Sequence, residues 1–174
     1  MRYIIIKKFG PGDDGWDGYA RWAGLQDCRD YYSIDEIHRK SLFQPESVED
    51  WDNCANEDFK THIITSLDFA KKIMPKFSGG EIVGVIEDPK VLKEKIPSGH
   101  VLMGYDVIDG GGGISLLTDW GGEVDGLKNV KFNAHALVDD VNYAYQLRET
   151  LRRDFPCDYH AKNCEVWAVY KINT

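Results

Sequence analysis

The chain has 174 residues, of which 43% are hydrophobic, so it can bury a core without the help of disulfides or metals. Its formal net charge of −8 disfavours nucleic acid and anionic membrane surfaces as partners, because like charges repel. It has neither the roughly 20 apolar residues of a membrane-spanning helix nor the apolar region of a secretion signal, so we expect one cytoplasmic domain over residues 1–174 with free thiols.

The first third of the chain is predicted to contain one strand and little other regular structure. Residues 2–9 include four consecutive apolar residues followed by lysines, which predicts a buried strand. Residues 10–32 contain five glycines and aromatic residues at three-residue spacing, which predicts a long loop held by aromatic packing. The capping-box spacing that begins at Ser33 predicts a short helix over 34–42, and a second short acidic helix is predicted before Trp51.

Two interpretations of residues 59–77 remain open. Apolar residues recur there at intervals of three and four, which predicts one amphipathic helix. Alternatively, residues 61–65 form a short strand, and Thr65 caps a helix whose third residue is Asp68. In both cases we expect the helix to end near Pro75.

The second half of the chain is predicted to supply most of the sheet and the main helix. The predicted elements are a strand over 81–86, a helical turn over 88–96, a glycine-linked hairpin of 100–108 and 114–118 at the sheet centre, a brief strand over 130–132, a helix of about 17 residues over 137–153 and a closing strand over 164–172. Together they predict an α+β fold with a mainly antiparallel sheet and the long helix packed on one face.

The negative charge is concentrated in residues 11–60. This segment carries thirteen acidic and five basic side chains, a net charge of −8, whereas the sixteen acids and sixteen bases elsewhere cancel. A run of acids is often only a solvated face. Here, however, aromatic residues such as Trp22 are interleaved with the carboxylates, a combination typical of surfaces that bind basic proteins. The predicted partner-binding residues are Asp13, Asp14, Trp16, Asp17, Asp27, Asp30, Asp50, Trp51, Asp52, Glu57 and Asp58.

The segments 104–109 (GYDVID) and 116–121 (LLTDWG) resemble sequences of small single-domain bacterial proteins. In length, acidity and lack of a catalytic motif, the chain resembles the immunity proteins with which bacteria neutralise toxins delivered by neighbouring cells. The resemblance implies a stoichiometric inhibitor of a basic toxin, such as a nuclease, and it brings no functional residues or cofactor. Immunity proteins share little fold, so the resemblance concerns function.

Three aspartates support a rival hypothesis, a metal-dependent hydrolase or transferase. Asp106, Asp109 and Asp119 flank a run of four glycines, and carboxylate oxygens are the ligands that magnesium and calcium prefer. Aspartate beside glycine is equally typical of a tight turn, in which its side chain accepts local backbone amides. The spacing matches no named cation loop, so the turn is the favoured interpretation.

The remaining motifs indicate no chemistry. Cys157, His160 and Cys164 suit zinc, but a fourth ligand at short spacing is missing from the sequence. No nucleophile has a recognisable local signature, so we expect no catalytic residue and no cofactor. A third possibility is a self-associating module in which the aromatic residues of the acidic segment meet a second copy of the chain.

Overall fold

The described residues form one antiparallel sheet of four strands and several helices, which confirms the predicted α+β fold. The computed structural model describes residues 1–35, 63–76, 79–91, 95–111, 113–120 and 124–173. Within these ranges the elements are β1 (Arg2–Lys7), α1 (Trp16–Ala23), α2 (Leu67–Ile73) followed by a 3-10 turn (Met74–Lys76), β2 (Gly80–Glu87), β3 (His100–Ile108), α3 (Leu116–Asp119), a 3-10 turn (Asp125–Leu127), α4 (Val141–Asp154), α5 (Tyr159–Lys162) and β4 (Glu165–Ile172).

The strands lie in the order β1-β2-β4-β3, and every neighbouring pair is antiparallel. Because side chains alternate between the faces of a strand, each strand contributes to two apolar layers. The first face carries Ile4, Ile6, Val83, Val85, Trp167 and Val169, and the second face carries Tyr3, Ile5, Ile82, Ile86, Ala168 and Tyr170. β4 is an interior strand, whereas β3, which was predicted to lie at the sheet centre, lies at its edge.

Different parts of the chain cover the two faces. Tyr32 and Ile34, in the irregular segment 31–35, pack on the first face together with Ile63 and Leu137. On the second face, α2 packs over β1 and β2, and α4 packs over β3 and β4. The segment 31–35 therefore lies directly against the sheet, where its backbone and side-chain polar groups need partners.

The main helix, α4, begins four residues later than its apolar pattern predicts. Asp140 is its N-cap, and the carboxylate accepts the backbone N–H groups of Asn142 and Tyr143 at 2.6 and 3.0 Å. Leu137 precedes this cap, and Val138 is extended and exchanges two backbone hydrogen bonds with Tyr105. The apolar positions 137 and 138 belong to the core, but the cap determines where the helix starts.

The structure favours the second interpretation of residues 59–77. Ile64 forms an isolated β-bridge with Tyr3, and Ser66 then caps α2 by accepting the backbone N–H of Phe69 at 3.3 Å. The cap is one residue later than the predicted Thr65. The helix ends at Ile73 and passes into the 3-10 turn that contains Pro75, as its sequence predicts. Positions 59–62 and 77 lie outside the described residues.

Two of the predicted strands are wrong, and one predicted helix does not begin where the sequence predicts. Residues 114–118 do not form a second hairpin strand: Ser115 caps α3 through the N–H of Thr118, and a single bridge joins Ser115 to Ile108. Among the described residues, 130–132 form no strand. Ile34 and Asp35, the first residues of the helix predicted over 34–42, are not helical, and positions 36–42 and the helix predicted before Trp51 lie outside the described residues.

The segment 10–32 contains a helix where the sequence predicts only loop. α1 lies between Gly15 at φ 82° and Gly24 at φ 75°, two conformations that glycine adopts without strain. Its buried side chains, Trp16, Ala20 and Ala23, form one helical face. The sequence does not predict this helix, because the many glycines lower the helix propensity of the whole segment.

The helix offers a simple test of this description. Gly18 lies inside α1 with nothing within 4 Å of the position of an added Cβ. We expect Gly18→Ala to raise the free energy of unfolding by about 0.5–1 kcal/mol, because alanine loses less backbone entropy in a helix. Gly24→Ala is the control and should be destabilising, because the left-handed conformation at φ 75° disfavours a Cβ. Urea unfolding followed by circular dichroism measures both. A destabilised Gly18→Ala would contradict a helical α1.

Candidate functional site

The most exposed part of the predicted acidic surface surrounds α1. Asp13 and Asp14 lie in the turn before the helix, where the carboxylate of Asp13 accepts the backbone N–H of Gly10 at 2.7 Å. Asp17 is in the first turn of α1, and Asp27 follows its C-terminal end. All four carboxylates are exposed. We call these residues, with Trp22, the acidic α1 surface. It extends over both ends of a helix that is about 12 Å long.

The tryptophans of this region have opposite environments. Trp16 was predicted to be a partner-binding residue, but its side chain is only 5% exposed and packs edge-on against Phe9 and Tyr31. Its position on the inner face of α1 makes it a core residue, which corrects that prediction. Trp22 is 39% exposed on the outer face, beside Tyr19, and is the tryptophan of α1 that a partner could contact.

Two acids of the segment 11–60 are engaged by other groups of the protein. Asp30, another predicted partner-binding residue, is ion-paired with Lys8, which also contacts Glu81 at 3.1 Å. Asp35 is buried beneath α1 and accepts hydrogen bonds from tyrosines. The acidic surface is therefore smaller than the sequence predicts. The remaining predicted partner-binding residues, Asp50, Trp51, Asp52, Glu57 and Asp58, lie outside the described residues.

A buried carboxylate, Asp106, lies at the centre of a polar cluster between β3 and the segment 31–35. Its Oδ1 accepts Ser115 Oγ at 2.6 Å and the N–H of Val107 at 2.9 Å. Its Oδ2 accepts Ser33 Oγ at 2.9 Å and the N–H of Ile34 at 3.2 Å. Four donors therefore surround a carboxyl group that is fully shielded from solvent. This cluster satisfies the polar groups of the segment that packs on the sheet.

The cluster continues to a second buried carboxylate, Asp35. Thr118 Oγ1 lies 3.1 Å from Ser33 Oγ and donates to Asp35 Oδ2 at 2.8 Å. Tyr31 donates to the same oxygen at 2.8 Å, and so does Tyr19 of α1. Burial, and then the adjacent Asp35 carboxylate, raise the pKa of both phenols well above their usual value, so they remain donors. The cluster thus joins β3, α3, the segment 31–35 and α1.

Burial dominates the ionisation of Asp106. The loss of solvation raises its pKa from 3.8 to about 6, although the hydrogen bonds from Ser115, Ser33 and two backbone amides lower it. The carboxyl is therefore more readily protonated than an exposed aspartate. The sequence indicates Asp106 only as a possible cation ligand and predicts neither the burial of Asp35 nor the cluster. An aspartate at an inward position of an apolar strand was the available signal.

The glycine run packs closely against the end of α5. A Cβ on Gly110 would lie 2.3 Å from the Cβ of Asn163, so only glycine permits this approach of the chain to the end of α5. Asp109 is buried beside the run, where its Oδ1 accepts the N–H of Ile114 at 3.1 Å and its Oδ2 lies 2.7 Å from His160 Nδ1. These contacts support the tight-turn interpretation of the aspartate.

The candidate cation ligands do not converge in the described part of the chain. No group of three or more histidine, cysteine, aspartate or glutamate side chains could hold a metal ion there. Asp106 has its oxygens occupied by four donors, and His160 contacts Asp109. Cys164 is buried, which raises the pKa of its thiol to about 11 and keeps it neutral and apolar. Cys28, Cys157 and Cys164 are free thiols, and Cys54 lies outside the described residues.

Comparisons with known proteins do not assign the chain to a family. No protein-family model, curated protein or solved structure matches it. Among the described residues, the helices are all too short or too polar to cross a membrane. The local chemistry of the acidic α1 surface and of the buried cluster is therefore the basis for a functional proposal.

Proposed function

We propose that this chain is a non-enzymatic immunity-type protein of the cytoplasm that binds and neutralises a basic toxin, such as a nuclease, through the acidic α1 surface. The observation that carries the proposal is the exposure of Asp13, Asp14, Asp17 and Asp27 around a helix that also exposes Trp22. Clustered negative charges attract a basic partner and accelerate its association. A partly exposed tryptophan is a typical anchor residue of a protein interface.

The arrangement of charge around α1 suits this function. Between residues 10 and 30 the exposed bases are Arg21 and Arg29, against four exposed acids. Arg21 donates to the backbone carbonyl of Asp17 at 3.2 Å and leaves that carboxylate exposed. A toxin whose basic surface binds nucleic acid would meet carboxylates in place of phosphates. Occupying that surface would exclude the substrate, so inhibition would require one immunity protein for each toxin molecule.

A charge-reversal experiment tests the proposal. The genes beside the one for this chain identify the probe, and the proposal requires one of them to encode a secreted protein with a basic C-terminal domain. We expect the variant Asp13→Lys, Asp14→Lys, Asp17→Lys to associate with it about tenfold more slowly at low salt, because steering is lost. The difference should shrink as salt is added. Stopped-flow fluorescence measures the rate, and circular dichroism verifies folding.

A matched control separates the local surface from the net charge. The variant Asp68→Lys, Asp125→Lys, Asp154→Lys changes the net charge equally at exposed positions outside α1. We expect its association rate to remain close to that of the wild type. Equal slowing in both variants, or an unchanged rate in the α1 variant, would refute the acidic α1 surface as the binding site. Self-association of the chain through Trp22, detected by light scattering, would favour the dimerisation module instead.

A further inference from the structure

A groove of about 690 Å³ runs along the outer surface of α4. Its walls are two rows of side chains four residues apart, a spacing that places residues on one ridge of a helix. The first row is Asn142, Gln146 and Thr150, the second row is Tyr145, Glu149 and Arg153, and Lys90 lies at the end beside Asn142. We propose that this groove binds an extended peptide segment that carries an acidic side chain at each end. The proposal does not depend on the function proposed above.

The first row has the repeat of an extended polypeptide. Its successive members are about 6 Å apart along the helix axis. Because such a row is inclined by about 26° to the axis, the separation along the row is about 6.7 Å. An extended chain points its backbone N–H and C=O groups to the same side at every second residue, which is a repeat of about 6.6–6.8 Å. Each side chain of the row can therefore meet an equivalent position of the ligand backbone.

The polar groups of the first row suit a peptide backbone. A side-chain amide both donates and accepts hydrogen bonds, and so does a hydroxyl, so each can pair with a backbone N–H or C=O group. Asn142 and Gln146 are exposed and Thr150 is partly exposed, so a ligand can reach all three. A partner helix would have its own backbone groups already bonded within the helix. The row therefore favours an extended segment over a helix.

The charges at the two ends of the groove favour acidic side chains in the ligand. The Lys90 ammonium donates to Asn142 Oδ1 at 2.6 Å, and its other hydrogens can be donated to a ligand carboxylate. At the opposite end, Arg153 is paired with Asp154 at 2.7 Å. That pair is exposed, and exposed pairs are weak, so the guanidinium can also bind a ligand carboxylate. Glu149 lies between the two cations and disfavours an acid in the middle of the ligand.

NMR titration of the nitrogen-15-labelled full chain tests the proposal. The probe is an end-capped hexapeptide with glutamate at both ends and alternating serine and valine between them, because its extended length matches the roughly 16 Å between Asn142 and Arg153. We expect it to shift the side-chain NH2 signals of Asn142 and Gln146. It should bind about tenfold more tightly than the same peptide with lysine at both ends. Methylation of the backbone nitrogens of the probe should weaken binding by about the same factor.

Matched variants locate the binding. Gln146→Ala should weaken binding by about threefold to tenfold, because one side chain of the row is lost. Gln26→Ala makes the same change at an exposed position outside the groove and should leave the affinity unchanged. Lys90→Gln should remove most of the preference for glutamate ends, whereas Lys72→Gln, at an exposed position of α2, should preserve it. Circular dichroism verifies that the variants are folded.

Four results would each overturn the proposal. If neither NH2 signal moves at several millimolar probe, the groove is not a peptide site. If the lysine-ended peptide binds equally well, the end charges do not select the ligand. If the methylated probe binds as tightly as the original, the ligand backbone is not recognised. Equal weakening by Gln146→Ala and Gln26→Ala would place the binding elsewhere on the chain.

Discussion

Replacement of Asp106 by asparagine is expected to lower the free energy of unfolding by about 3 kcal/mol, one of the largest single effects in the molecule. The carboxylate accepts two donors on each oxygen, including the backbone N–H groups of Val107 and Ile34. An asparagine amide must turn its NH2 group toward one of these N–H groups, which leaves a buried donor opposed to another donor. The backbone cannot rotate to relieve this conflict.

Urea unfolding of Asp106→Asn measures this loss. The matched control is Asp27→Asn, which makes the same chemical change at an exposed position and should leave the midpoint of unfolding nearly unchanged. Amide hydrogen exchange should show the earliest opening in the segment 31–35, which the cluster fastens to β3. A variant as stable as the wild type would mean that the hydrogen bonds around Asp106 contribute little to the fold.

Gly110→Ala is expected to destabilise the protein by about 3 kcal/mol, because the position lacks room for a methyl group. The added Cβ would lie 2.3 Å from the Cβ of Asn163 and 2.8 Å from its carbonyl oxygen. These are atoms at the end of α5 and cannot rotate away. Gly110 also donates its N–H to the carbonyl of His160 at 3.1 Å, so moving the chain would break a hydrogen bond as well as displace α5.

Gly126→Ala is the matched control for this prediction. Its added Cβ would make ordinary contacts, the nearest at 3.5 Å to Thr150, so its unfolding midpoint should change little. Thermal and urea unfolding compare the two variants. Equal stability of Gly110→Ala and Gly126→Ala would show that α5 does not pack closely on the glycine run.

The strands and the main helix could be predicted because their side-chain periodicity is strong. The segments that form β1, β2, β3 and β4 are rich in apolar residues, and α4 has a repeating apolar face. The errors arise where caps and glycines override such patterns. Ser115 turns an apolar run into α3, and the glycines around α1 lower the apparent helix propensity although Trp16 and Ala20 pack well.

The acidic α1 surface was predicted in part. The polarity of Asp13, Asp14 and Asp17 leaves them at the surface, but no sequence pattern distinguishes Trp16, which faces inward, from Trp22 when the helix itself is not recognised. The buried cluster was missed for a different reason. The bonds that join Ser33 to Asp106 and Thr118 to Asp35 span more than 70 residues along the chain, and only the packing of the segment 31–35 on β3 brings these residues together.

Because β4 lies between β2 and β3, the sheet cannot be completed during translation until β4 has been synthesised. β1 and β2 can pair as soon as both have left the ribosome, but β3 emerges before the strand that joins it to the sheet. Val169 contacts both neighbours, through Val85 on one side and Gly104 on the other. Until that strand is synthesised, the apolar side chains of β3 and of the β1–β2 pair that will pack beside β4 remain uncovered, a condition that favours aggregation of folding intermediates.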